Sequence, residues 1–161
     1  MPTLPQLIEE DIKVFDRALR DLLARSEATT ALIIDKGGFL ITTSGETEDF
    51  DVTTIAALAS GAYLANQTIA NLVHEENFNS VYQQGEKFSM LVVNVDEHCL
   101  LVVVFNARHS AGAVKYYACA TIRLIAAQIQ RARARNPDKG LDLSLLNAAD
   151  TAPFFQRKDP P

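Results

Sequence analysis

The chain has 161 residues, 48% of them apolar and 22% charged, and a net charge of −5. That length can bury a core without disulfide or metal staples and suits one domain. The acidic balance, with no basic stripe, excludes the electrostatic footprint of a nucleic-acid binder, and the longest apolar run, Leu100 to Phe105, is too short to cross a bilayer.

The first residues, MPTLPQLIEED, lack the charged and apolar regions of a signal peptide, so a cytoplasmic location is expected. Over residues 4–26, Leu4, Leu7, Ile8, Ile12, Phe15, Leu19, Leu22 and Leu23 recur at helical spacing. Glu9, Glu10 and Asp11 come early and Arg20 and Arg25 late, which suits the helix dipole. Two β-branched segments follow, TALIID (30–35) and FLITTS (39–44), separated by Lys36-Gly37-Gly38. Glycines there supply the positive φ of a tight hairpin.

An acidic loop, GETEDF, leads to Asp51, a natural N-cap for a second helix running to about Glu76. Its polar residues Thr53, Ser60, Gln67 and Asn71 form a narrow strip. Ile55, Leu58, Ala59, Ala62, Ala65, Ile69, Leu72 and Val73 spread over roughly 200°, against the ~100° stripe of an ordinary surface helix. Such a helix must bury a second face. One flank is expected on the sheet, and the other, rich in Ala and Gly, against a partner.

Strands are then expected at 79–84, 87–95 and 98–105, with Asp96-Glu97 turning between the last two. MLVVNV and CLLVVVF are near-continuous apolar runs, which implies a sheet covered on both faces. A polar link, 106–110, precedes a third helix with Val114, Ala118, Ile122, Ile125 and Ile129 as its core stripe. Arg131, Arg133 and Arg135 sit at its negative end, and Pro137 stops it. Residues 1–136 therefore read as one domain and 137–161 as a loop-like tail with room for a short helix. The order α-β-β-α-β-β-β-α makes an α+β layered domain, two helices on one face of the sheet and the second helix on the other.

Chemistry is sparse. Asp35-Lys36-Gly37-Gly38 has glycines but not the order of a phosphate-binding loop. His74, His98 and His109 lack metal-ligand spacing. His98 adjoins Cys99, but successive strand residues point to opposite faces. Cys99 and Cys119 lie in apolar stretches and read as inert buried thiols. No catalytic, cofactor or metal residue is assigned. Arg108 could act as an arginine finger, although a solvated loop charge is the simpler reading. Asn66 either hydrogen-bonds within the domain, the favoured alternative, or pairs across a dimer interface and fixes its register. Leu64, within the polar strip and one turn from Ala57 and Gly61, forms a low apolar patch suited to a flat partner.

The hairpin ALIIDKGGFLITTSG, the helix TIAALASGAYLANQTIANL and the strands leading into VVVFNARHSAGAVKYYA resemble the Roadblock superfamily, which includes dynein light chains, and within it the bacterial MglB-like regulators. The resemblance spans about residues 5–135. It implies a profilin-like fold, a five-stranded antiparallel sheet sandwiched between one helix and two. It implies homodimers or heterodimers that pair their second helices, with Ala62, Ala65, Asn66 and Ile69 at the dimer interface. Such dimers serve as platforms for small Ras-like GTPases, and Ala57, Ser60, Gly61, Leu64 and Thr68 would face that partner. The MglB-like branch stimulates hydrolysis by repositioning the GTPase's own switch residues, without inserting an arginine. The expectation is a GTPase-stimulating regulator with no active site of its own. Two readings stand beside it: a scaffold that leaves hydrolysis unchanged, and a small-molecule sensor, for which no polar cluster is visible in the sequence. The tail leucines and Phe154-Phe155 could dock elsewhere or fold back onto the domain.

Overall fold

The computed structural model describes residues 3–135; the expected tail, its short helix and the boundary at 136 lie outside them. The elements are α1 (Glu9–Ser26), β1 (Thr30–Asp35), β2 (Leu40–Gly45), α2 (Val52–Leu72), β3 (Ser80–Gln84), β4 (Phe88–Asn94), β5 (Cys99–Asn106) and α3 (Ala111–Arg135). The strands form one antiparallel sheet in the order β2-β1-β5-β4-β3.

The expected element order and layering hold. β5 is central, and Cys99 to Phe105 are all buried. Period-two alternation divides those residues between two cores. Ile33, Leu91, Val93, Leu101, Val103 and Phe105 meet Phe15, Leu19 and Leu22 of α1 and Val114, Ile125 and Ile129 of α3. Leu32, Ile34, Val92, Leu100 and Val102 face the other way, onto Ala56, Ala59 and Tyr63 of α2. A strand buried on both faces shows no polar alternation, which is why its sequence reads as one apolar run.

Two helix boundaries differ from expectation. α1 begins at Glu9, not near Leu4. Leu4 is buried in the core from the segment before the helix, and the Asp11 carboxylate accepts the Ile8 N–H at 2.8 Å, fixing the helix start. α2 ends at Leu72, a turn before Glu76. His74 takes φ 64°, its N–H reaches Asn71 O, and the Glu75 N–H reaches Ala70 O. Those two bonds form a Schellman termination, with His where glycine is usual.

Candidate protein-interaction surface

α2 starts where the Asp51 carboxylate accepts the Thr54 N–H at 3.1 Å, as its capping role predicts. Its seating on the sheet differs from the sequence expectation in which residues it buries. The buried side is built from small residues, Ala56, Ala59, Ser60 and Ala70, with Tyr63 as the one large member. Val52 and Ile55 of the first turn pack against that core, but the later large aliphatics point away: Leu58 is 68% exposed, Ile69 48% and Leu72 75%. The reason is close approach. Gly38, at φ 96°, lies so near α2 that a Cβ there would sit 3.1 Å from the Ala57 Cα. A leucine on that side would lift the helix off the hairpin turn.

Polar tethers fix this seating. The Ser60 hydroxyl donates to Lys36 O at 2.5 Å. Tyr63 OH and Gln67 Nε2 both donate to Phe78 O, at 3.4 and 3.1 Å. The sequence places Ser60 and Gln67 on the polar strip and Ser60 among the contacts for a partner. Ser60 is instead buried, so it anchors the β1–β2 turn and offers nothing to a partner. Thr53 and Asn71 of the same strip are exposed.

Of the residues the resemblance places at a dimer interface, Ala65 and Ile69 are exposed and Ala62 and Asn66 half-buried. Asn66 makes the local bond, Nδ2 donating to Ala62 O at 2.8 Å. Of those placed toward a GTPase, Ala57, Gly61, Leu64 and Thr68 are exposed together on the neighbouring flank. Leu58 and Leu72 carry no site assignment from the sequence, yet they complete the ridge. Leu58, Ala62, Ala65, Ile69 and Leu72 follow one another at intervals of four, three, four and three residues, the a/d spacing of a helix-pairing seam. That spacing is visible in the sequence; which side faces the sheet is not. Gly61 borders the ridge, and a Cβ built on it meets nothing within 4 Å.

The other candidates resolve differently. Arg108 is exposed, and its Nε donates to Asn106 Oδ1 at the end of β5 at 3.3 Å. Cys99 is buried, and burial pushes its thiol well above the ordinary value. Cys119, expected to be buried, is exposed on α3, its sulfur 3.4 Å from Lys115 O. Its apolar neighbours mislead because α3 buries only one stripe of itself. His98 sits in the turn before β5, one residue short of the expected strand, with its ring against Arg133 and Glu97. Among the described residues, no three His, Cys, Asp or Glu are grouped to hold a metal, and no helix is long and apolar enough to cross a membrane.

The family model for the Roadblock/LC7 domain matches residues 14–105. Solved structures similar to this one include MglB of Myxococcus xanthus, with TM-score 0.73 and 26% identity over 79% of this chain and 96% of that one. The gliding protein MglB of Thermus thermophilus gives TM-score 0.74 and 26% identity over 81% and 99%. Profilin II of Acanthamoeba castellanii, at TM-score 0.53 and 17% identity over 71% and 98%, shares the fold alone. No curated protein matches the chain.

Proposed function

The chain belongs to the Roadblock/LC7 domain family, and on that premise we propose that it is a homodimeric platform that binds a small Ras-like GTPase and stimulates its GTP hydrolysis. The likeness to MglB structures supports the MglB-like branch of the family, and one MglB structure is described as having a tetrameric arrangement. The observation that carries the reading is the ridge on α2. It is apolar, exposed, opposite the sheet and spaced to pair with another helix. Burying a leucine or isoleucine side chain there gains about 1.5–3 kcal/mol relative to leaving it wet. Gly61 supports the same reading. A mid-helix glycine costs about 1 kcal/mol against alanine, and nothing in its own fold requires it. A second backbone approaching α2 would.

In this arrangement Leu58, Ala62, Ala65, Ile69 and Leu72 lie between the paired helices, flanked by Asn66. Ala57, Gly61, Leu64 and Thr68 form the shoulder offered to the GTPase. The GTPase supplies nucleotide, Mg²⁺ and catalytic groups, and the platform biases its switch loops. The engagement of Arg108 with Asn106 fits a mechanism with no inserted arginine.

Phosphate release by the small GTPase encoded in the same genome, with and without this protein, tests the proposal. Stimulation that is lost in Leu64→Asp supports it. GTP-dependent binding with an unchanged rate would reduce the protein to a scaffold, and absence of both would remove the GTPase from the account.

A further inference from the structure

A second feature lies beside the C-terminal half of α2 and owes nothing to the GTPase reading. The β1–β2 turn, the α2–β3 loop, the end of β4 and the β4–β5 turn enclose a polar pocket of about 280 Å³. Lys36 reaches in from the hairpin turn, its ammonium 5.8 Å from the centre of the Tyr63 ring. Asp96 closes the other side. Its Oδ1 accepts the His98 and Cys99 N–H groups at 2.8 and 2.9 Å, which holds the carboxylate in place. Glu97 also lines the pocket but is bound at 2.7 Å by Arg133. The uncompensated charges facing the pocket are therefore one cation and one carboxylate.

Two observations leave polar capacity in the pocket that the fold does not use. Lys36 and Asp96 do not join in an ion pair, although burial pushes the Lys36 ammonium below its ordinary value and the Asp96 charge only partly restores it. Asn94 Oδ1, in the wall, is buried with no hydrogen-bond partner among the described residues. A buried acceptor normally has a donor, so the pocket lacks an N–H or O–H aimed at Asn94. Asn77 and Asn79 add amides at the rim.

A ligand for these walls needs a negative group for Lys36 and a donor-bearing positive group for Asp96 and Asn94. A free inorganic anion would meet Asp96, a metal ion would meet Lys36, and a neutral polyol would leave both charges unpaired. We propose that the pocket binds a free α-amino acid, its carboxylate on Lys36 and its ammonium between Asp96 and Asn94 Oδ1. The volume admits the backbone zwitterion with a small or medium side chain, which would lie along the Tyr63 ring. The pocket's loop is tied to α2 through Phe78 O, which Tyr63 and Gln67 share. Occupancy would therefore stiffen the end of the helix that carries the exposed ridge.

Isothermal titration calorimetry of the full chain against each proteinogenic L-amino acid tests this. At least one should bind, and its affinity should fall at least about tenfold in Lys36→Met and in Asn94→Leu, the second of which removes the amide acceptor. Its N-acetyl and carboxamide derivatives should fail to bind wild-type protein, a control independent of any variant's folding. No heat from any amino acid at millimolar concentration overturns the proposal. So do affinities unchanged in both variants, or blocked derivatives that bind as well as the free form.

Discussion

Asp11 shows how one side chain can join distant parts of the chain. It is fully buried at the start of α1, where it accepts the Ile8 N–H, the Gln128 side-chain amide and the Arg135 guanidinium. Burial alone would raise its pKa. Arg135, Ile8 and Gln128 together outweigh burial and hold the carboxyl below the ordinary 3.8. The contribution is therefore complete above about 3.8, the unfolded value, and is lost as pH falls below that through the folded value. Asp11→Ala should lower stability by about 1–3 kcal/mol at neutral pH, because the buried Gln128 amide loses its acceptor. Urea denaturation of both proteins at pH 7 and pH 3 checks this: the difference should be full at pH 7 and smaller at pH 3. The sequence marks Asp11 only as an acid in a first turn. Its partners lie at 128 and 135, and spacing along the chain cannot indicate that meeting.

Among the elements, α2 leaves the most large apolar side chains exposed. A strongly amphipathic helix would have one answer to the question of which side packs. This helix has two apolar sides; the one against the sheet is mostly small residues around Tyr63, and the other carries Leu58, Ile69 and Leu72. Two substitutions separate its roles. Gly61→Ala should raise the stability of the isolated subunit by about 0.5–1 kcal/mol, since the added Cβ meets open space. The same change should weaken self-association if a second backbone packs there. Urea melts at low protein concentration read the first effect, and analytical ultracentrifugation reads the second. Ala65→Arg places a charge in the middle of the ridge on an exposed position. It should leave the circular dichroism spectrum unchanged and give a monomer by light scattering. A dimer that survives it would put the interface on another surface.

At the scale of the whole molecule, the proposed dimer links stability to concentration. The melting temperature of the wild-type protein should rise with protein concentration, because association binds the folded subunit only. In Ala65→Arg that dependence should vanish. Differential scanning calorimetry over a hundredfold range of concentration, roughly 2.7 kcal/mol of mass action, resolves the two cases.

The sequence by itself determined the fold and the excess of apolar surface on α2. Strand and helix periodicities are local, and they are enforced by the two-sided burial of β4 and β5 and by the single stripes of α1 and α3. The glycine turn at 37–38 and the Asp51 cap are local too, and both are where the sequence puts them. An excess of apolar surface on α2 follows from counting alone. Only the tertiary structure decided which side of α2 meets the sheet, because that depends on how near the β1–β2 turn approaches, a distance set by Gly38 and Ala57. It turned Ser60 from an exposed contact into a buried tether and left Cys119 outside. It also brought Lys36, Tyr63, Asn94 and Asp96 to one pocket from four separate elements and turns. Each of these residues is ordinary in its own segment. A site whose members are far apart in the chain has no period, and folding alone gives them a common surface.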